Sequence, residues 1–597
     1  MRPAPHLIAA ALLCLGCAAA DAAVVTRVQI VGLDETMTDN VRLSLSLVEA
    51  IGSEVSNRRM AYLVREAESE TREALEPFGY YSPQVTVERD PGTGLVTIAV
   101  VPGDPVRVRA SAVAIDGAAG QDRYMNEELD AFVPQTGAVF DSATYDASKS
   151  RISRRLAERG YFDASLASHR VEVTRADNAA DIDLRWSSGV RYAMGRVAFE
   201  QQPTQSIRPQ LLDKLVYWDE GSYYHQGKLD RLRKSLTELD YFSGIEIKAN
   251  PENADADKHV PIDVLLTLAK RSIYTYGLSY GTESGAGVRL GLERRYLNSR
   301  GHKALAQIDW AQKRKTLTLQ YRIPAFAWLD GWYTGSLQFA DEQTDYIDSR
   351  RAEFVASRSG QLSPQLTANA SLHVLRERWA YALLDNGTPT GTPPPVDYRY
   401  ASFVYPALRA EYLAVDDRVF PRRGGALNLA LRGGVDNAGS DADFAQVHAS
   451  AHWFHGIGDD DRLLLRGEIG HTFTNALLDM PPSLRFYAGG ARSIRGYAER
   501  EVSPRVETTN GVYSVGAKNV VSASAEYEHY FKGSSWGAAV FVDGGSAFDG
   551  RTPDWHTGVG IGMRWRSPVG PVNVDIARGL DHPDSGFQLY LSIGAPL

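Results

Sequence analysis

The sequence has 597 residues, 44% hydrophobic and 10% aromatic, with 29 Tyr and 53 Gly but only 7 Met, a balance that favours β-structure. A net charge of −9 argues against a nucleic-acid partner. The only two cysteines, Cys14 and Cys17, stand near the start, which excludes a disulfide framework in the rest of the chain.

The first residues read as a secretion signal. Arg2 supplies positive charge, residues 7–17 are apolar, and Ala20-Asp21-Ala22 is a small-x-small cleavage site. The apolar run is too short to span a bilayer. Cys14 stands where a lipoprotein signal wants Leu before Cys17, so cleavage after Ala22 and an unlipidated N-terminus are expected. No later stretch approaches 18 apolar residues, so no transmembrane helix is expected. A secreted chain of this kind still crosses an outer membrane if it closes a barrel.

The first half repeats three times at a period of about 80 residues. Its marker is an aromatic pair: Gly79-Tyr80-Tyr81, Gly160-Tyr161-Phe162 and Asp240-Tyr241-Phe242. Each marker follows apolar residues at helical spacing: Leu63 and Ala67, Ile152 and Leu156, and Leu229, Leu232, Leu236 and Leu239. Strands are predicted after the markers at 84–88 and 95–101, 168–173 and 182–186, and 244–248 and 260–268. Opening strands are predicted at 25–31, 106–115 and 191–199. The order strand, helix, helix, strand, strand, with the marker, resembles the POTRA domain, a periplasmic module found in tandem before outer-membrane barrels. The third copy departs from it with Asp240 in place of glycine. The open edges of such sheets offer backbone groups to a partner strand.

From residue 271 the helical period gives way to runs of about ten residues alternating in twos. Tyr274, Tyr276, Leu278 and Tyr280 face one side, as do Leu427, Leu429 and Leu431, and Val559, Ile561, Met563 and Trp565. The opposite faces carry Gly, Arg, Asp and Gln, which suits a membrane barrel with an apolar exterior and polar lumen. About sixteen runs are counted. The Gly-, Thr- and Pro-rich stretch 385–396 reads as an extracellular loop.

Four motifs stand out in this half. Arg495-Gly496-Tyr497, after Gly489-Gly490, lies in a connection of residues 475–518, too long for a hairpin. Asp416-Asp417 opens a turn ending Pro421-Arg422-Arg423-Gly424 before the ninth run. Glu526 lies in the twelfth run and Phe541-Val542-Asp543-Gly544-Gly545 in the thirteenth. With three POTRA-like units ahead of them, they resemble the family of outer-membrane assembly and secretion proteins that includes BamA, TamA and the two-partner secretion transporters. The resemblance implies that a long loop folds into the barrel and that Arg495, with Gly496 and Tyr497, meets Asp543 of a Phe541-x-Asp543-x-Gly545 strand, with Glu526 helping to hold it. Parity agrees, since Val540 and Val542 would face lipid and Phe541 and Asp543 the lumen. A charge swap of Arg495 and Asp543 is then expected to restore part of a lost lock.

The expected organisation is a signal peptide (1–22), three POTRA units (23–104, 105–189, 190–270) and an outer-membrane barrel (271–597): α+β repeats, then an all-β antiparallel barrel. Three units, no room for a plug helix, and a Gly594-Ala595-Pro596-Leu597 ending look like the TamA branch. What this implies is ATP-independent insertion or secretion of autotransporters and other β-barrel clients. It also implies a TamB-like inner-membrane-anchored partner on the POTRA units, contact with outer-membrane lipid, and no cofactor. Alternatives are a secretion channel or passive pore, and an outer-membrane hydrolase. For the hydrolase, Gly533-Ser534-Ser535-Trp536-Gly537 matches a nucleophile string but sits in a turn between strands rather than in a strand-turn-helix. His452 and His455, three apart in a strand, face opposite sides and make no metal site. Arg564, Arg566, Arg422 and Arg423 read as lumen or rim charges.

A barrel closes by pairing its first and last strands, here 273–280 and 587–593, the only neighbours without a covalent hairpin. Small inward residues, Gly277, Ser279 and Gly281 on one side and Ser592 and Gly594 on the other, pack little. Tyr276, Gly277, Leu278, Phe587, Leu589 and Ser592 therefore form the expected lateral gate, whose parted edges would template a client strand.

Overall fold

The computed structural model describes residues 22–281, 285–326, 331–343, 347–380, 398–508, 511–568, 570–581 and 586–593. Cys14, Cys17, Ala20 and Asp21 of the signal, the stretch 385–396, the ending 594–597 and the Ser279 side chain lie outside the described residues.

Each repeat builds a three-stranded sheet in which the last strand sits between the other two. In the first, Leu95–Val101 runs parallel to Arg27–Val31 and antiparallel to Gln84–Arg89. In the second, Ala179–Ser187 is central between Arg107–Asp116 and Ser165–Thr174. In the third, His259–Leu268 is central between Ala193–Gln202 and Phe242–Ala249. The long helices Asn57–Leu75 and Ser142–Glu158 begin on side-chain caps from Ser56 and Asp141. They bury Met60, Leu63, Ala67 and Leu75, and Ile152 and Leu156. Leu63, Ala67, Ile152 and Leu156 are the positions that the helical spacing marks, so one stripe per helix covers one sheet face.

The marker turns out to be a joint. Gly79 has φ 89°, its carbonyl accepts from Val106 N–H at 2.8 Å, and a Cβ there would lie 2.6 Å from the Phe140 carbonyl oxygen. Gly160 repeats this with Tyr192 N–H at 2.9 Å and the Tyr224 Cβ at 2.7 Å. Both positions demand glycine for backbone conformation and for space. Asp240 keeps the left-handed backbone, with φ 55°, and puts its carboxylate 2.9 Å from Arg295. There Tyr241 donates to the carbonyl of Gly301, in the turn between the second and third barrel strands. The departure from glycine thus belongs to the copy whose neighbour is the barrel.

The second half is one antiparallel sheet of sixteen strands in sequence order, from Ser272–Gly281 to Gln588–Ile593. Its outer face exposes Leu290, Ile308, Trp310, Leu429, Val540, Ile561 and Leu589, the apolar exterior that alternation predicts. No helix is long and apolar enough to cross a membrane, among the described residues. Among the described residues no ladder joins the first strand to the sixteenth. Phe587 lies just outside the last strand.

Candidate functional site

The site is built where the long connection between the eleventh strand (Asp461–Phe473) and the twelfth (Asn519–Tyr530) folds against the inner wall. Ile494 and Tyr497 are buried with Phe486, Val520 and Ala547, which anchors the loop by its apolar side chains. Between them the backbone presents Arg495, itself 6% exposed. Its guanidinium donates to both oxygens of Asp543, at 2.7 and 2.9 Å, and its backbone N–H to Oδ2 at 3.0 Å. Nη1 also donates to Glu526 at 2.7 Å and Asp575 at 3.0 Å. Ser524 Oγ donates to Asp543 at 2.6 Å, and the guanidinium carbon lies 3.4 Å from the Phe541 ring centroid. Charge-assisted, bidentate bonds inside a dry wall fix both position and orientation.

The pairing extends further. Arg564 on the fourteenth strand (His556–Ser567) donates to Glu526 at 3.0 Å, to Asp575 at 2.5 Å and to Glu528 at 3.3 Å. Arg462 donates to Glu528 at 2.9 Å and to the Pro421 carbonyl. Alternating cations and anions therefore run from Arg495 to the Asp416–Gly424 turn. Within that turn, Asp416 accepts from the N–H groups of Arg422 and Arg423, and Arg422 reaches the Gly458 carbonyl of the next turn. The seven charged groups of this network, Arg495, Asp543, Glu526, Asp575, Arg564, Glu528 and Arg462, are all buried, so each must be paired.

Glycines make the room. A Cβ on Gly558 would lie 1.8 Å from the Arg495 carbonyl oxygen, one on Gly560 2.3 Å from the Phe541 ring, and one on Gly562 2.0 Å from Asp575. Gly496, at φ 103°, lies so close to the fifteenth strand (Gly570–Gly579) that a Cβ would meet the Arg578 carbonyl carbon at 2.5 Å. The Tyr497 ring fills the space beside Gly579, where a Cβ would lie 2.5 Å from its Cζ, and its hydroxyl reaches the Thr557 carbonyl and Asp581, each at 3.1 Å. Gly545 takes φ 155° against the Val521 carbonyl oxygen.

The structure thus brings Arg495, Gly496, Tyr497, Glu526, Phe541 and Asp543 together, with Gly545 further along the thirteenth strand. Tyr276, Leu278, Phe587 and Leu589 are exposed on the outer side of the end strands, while Ser592 is exposed on the inward face. A Cβ on Gly277 would lie 3.6 Å from the Arg289 Cβ. Sequence reasoning missed Asp575, Glu528, Arg462 and Tyr590, and read Arg564 as a plain lumen or rim charge. The signal available was the column Gly558, Gly560, Gly562 on an inward face, which marks space taken by something else. The expectation of a charge swap also changes. Arg495→Asp would set an anion against Glu526 and Asp575, so reciprocal exchange with Asp543 is not expected to restore the contact. The Gly533–Gly537 string spans the turn before the thirteenth strand (Trp536–Phe548) and that strand's first two residues, with Ser534 accepting from Trp536 N–H. Among the described residues no cluster of His, Cys, Asp and Glu is arranged to hold a metal.

Comparison with known proteins adds three matches to family models. The Omp85 superfamily domain matches residues 408–595, the POTRA domain described as TamA domain 1 matches 27–102, and a POTRA model described as surface antigen variable number repeat matches 108–185. The outer membrane protein assembly factor BamA of Nitratidesulfovibrio vulgaris is 24% identical over 456 residues, covering 73% of this chain and 55% of its own length. BamA of Neisseria meningitidis serogroup B is 22% identical over 513 residues, covering 80% of this chain and 62% of its own. The chain therefore spans a little over half the length of these relatives. The crystal structure of BamA from Haemophilus ducreyi lacking POTRA domains 1–3 shares the fold, with TM-score 0.64 and 16% identity over 82% of this chain and 99% of that one.

Proposed function

Given that the chain belongs to the Omp85 superfamily, with POTRA repeats ahead of its barrel, we propose that it assembles or secretes other β-proteins at the outer membrane. The barrel lies in that membrane, its apolar face against lipid, and the repeats lie in the periplasm. The finer reading is a TamA-like factor. Autotransporters and similar barrels are its clients, the seam between the first and sixteenth strands is a lateral gate, and a TamB-like partner adds a strand to an open edge of a POTRA sheet. The N-terminal match to a TamA-type POTRA supports that branch.

The observation that carries the gate is the missing ladder between the two end strands, among the described residues. Their outer side chains are among the most exposed apolar groups of the barrel: Leu278 at 90% and Phe587 at 74%. An unpaired edge offers its N–H and C=O groups to whatever strand arrives.

The test uses a chain with no cysteine after Cys17. One cysteine is placed at Tyr276 or Leu278 and one at Leu589 or Leu591, and oxidised pairs are selected by mobility. Cross-linking is expected to stop client assembly and reduction to restore it. Full activity with the seam demonstrably closed overturns the gate. Conductance in planar bilayers separates the alternative, because a passive pore conducts steadily and an assembly factor with a loop seated in its lumen stays mostly shut.

A further inference from the structure

The last strand has one inward side chain that is buried, Tyr590, 8% exposed. Its neighbours on that face, Gln588 and Ser592, are half-buried and exposed. The Tyr590 hydroxyl accepts from Gly496 N–H at 2.9 Å and donates to the Tyr497 carbonyl at 2.7 Å. One hydroxyl thus uses both its donor and an acceptor site on two consecutive residues of the seated loop. The ring packs with Phe541 and Ala577, the former already lying under Arg495. The strand is also held by its ladder to the fifteenth, running from Ala577 opposite Gln588 to Val572 opposite Ile593, and by Asn573, whose amide donates to Ser592 at 3.3 Å. On the side of the first strand there is no ladder among the described residues.

Local geometry makes this link specific to the seated loop. Gly496 reaches Tyr590 only because its backbone, at φ 103°, lies against the fifteenth strand, with its carbonyl accepting from Gly579 N–H at 3.1 Å. That position is set by Arg495, which is fixed by acids on the twelfth, thirteenth and fifteenth strands. If the loop withdraws, the Gly496 and Tyr497 peptide groups leave together. The hydroxyl then exchanges its two loop partners for lumen water, and the strand loses its tie to the loop.

We infer that Tyr590 is a positioning residue that straps the sixteenth strand to the loop, so that seating of Arg495 restrains one edge of the seam and withdrawal of the loop frees it. The inference rests on the seam reading given above for its consequence, but not for its geometry.

Backbone hydrogen exchange on the full-length protein in detergent or nanodiscs tests it. Tyr590→Phe keeps the ring and removes both hydrogen bonds, so residues 588–593 are expected to exchange about tenfold faster while the twelfth and thirteenth strands are unchanged. Arg495→Ala is expected to accelerate the same residues, and adding Tyr590→Phe to it is expected to change nothing more, because the partners have already left. Unaltered exchange at 588–593 in Tyr590→Phe overturns the strap. So does independent multiplication of the two effects, which would mean that Tyr590 holds the strand without the loop. Client assembly, measured in parallel, separates the two readings. Faster exchange with altered assembly supports both, and faster exchange with parental assembly keeps the strap and removes the gate.

Discussion

The two walls of the barrel are built from similar alternating sequence yet differ inside. On the twelfth and thirteenth strands the inward residues Ser522, Ser524, Glu526, Glu528, Phe541 and Asp543 are all buried, and Arg495 of the loop lies on Ser524, Glu526, Phe541 and Asp543. On the second and third strands the inward Arg289 and Asp309 pair with their side chains 55% and 33% exposed. The same chemistry, an arginine beside an acid, is a dry multidentate anchor on one wall and a wet surface pair on the other. The seam lies between these walls, with the strapped sixteenth strand on one side and, on the other, the first strand, held by its ladder to the second. What decides the worth of a charge pair here is not the residues but whether a loop has displaced the water.

The largest effect expected from breaking this difference is at Arg495. Arg495→Ala leaves Asp543, Glu526 and Asp575 facing one another with only Arg564 between the last two, and such an uncompensated buried cluster costs of order 3–5 kcal/mol. The barrel ladders are untouched, so the loss is expected in the loop. Protease sites within 475–518 are expected to become accessible while the barrel keeps its compact, heat-modifiable mobility on gels. Loop protection equal to the parent's would mean that the apolar side chains around Ile494 and Tyr497 seat the loop without the ion network.

The open wall has its own brace, at the periplasmic end, and removing it is the second test. Tyr241 is fully buried and donates to the Gly301 carbonyl, with the Lys303 ammonium 5.5 Å from its ring. Burial pushes the phenol well above its ordinary range, so it remains a donor at every physiological pH. Tyr241→Phe removes the bond and leaves the Gly301 carbonyl without its phenolic donor, a cost of about 1–2 kcal/mol. Exchange in the 295–302 turn is expected to rise, whereas residues 519–548 stay as they were. A change on both walls would show that they respond as one body.

Much of this arrangement is legible in the sequence, and the reasons are physical. Period-two alternation fixes which face of each strand meets lipid, so the inward direction of Asp543, Glu526 and Asp575 follows from Val542, Tyr527 and Ile576 beside them. The marker aromatics locate the repeats because each ends one helix and begins one strand. Register is not legible, and register is what sets Glu526 opposite Phe541 and Asp575 opposite Gly562. Without it the acids cannot be assigned to one arginine, and Arg564 looks like any lumen charge. The hairpins fix neighbours, but a loop that returns to the wall leaves only the shape of the space it fills, here Gly558, Gly560 and Gly562. Tyr590 was hidden for a further reason: small residues at 592 and 594 draw the eye to a loose strand, and the tyrosine between the apolar positions reads as one more lumen side chain.

The smallest expected effect is the one that sharpens the comparison most, because it is predicted to be nearly nothing. Arg289 and Asp309 form the same type of contact as Arg495 and Asp543, across the ladder of the second strand (Gly285–Arg294) and the third (Lys303–Ala311). Gln307 also donates to Asp309, at 2.7 Å, so the acid keeps a partner if the arginine goes. Both ions sit in lumen water, where attraction is weak, screened by salt and offset by the entropy of holding two long side chains. Arg289→Ala is therefore expected to shift stability by less than about 0.5 kcal/mol, read from urea midpoints in detergent, and raising the salt should erase even that. The effect should also be additive with Arg495→Ala, since the two sites share no partner. A loss above about 2 kcal/mol, or coupling to Arg495, would show that the open wall is as dry and as tied as the other. The distinction between a strapped edge and a free edge at the seam would then fail with it.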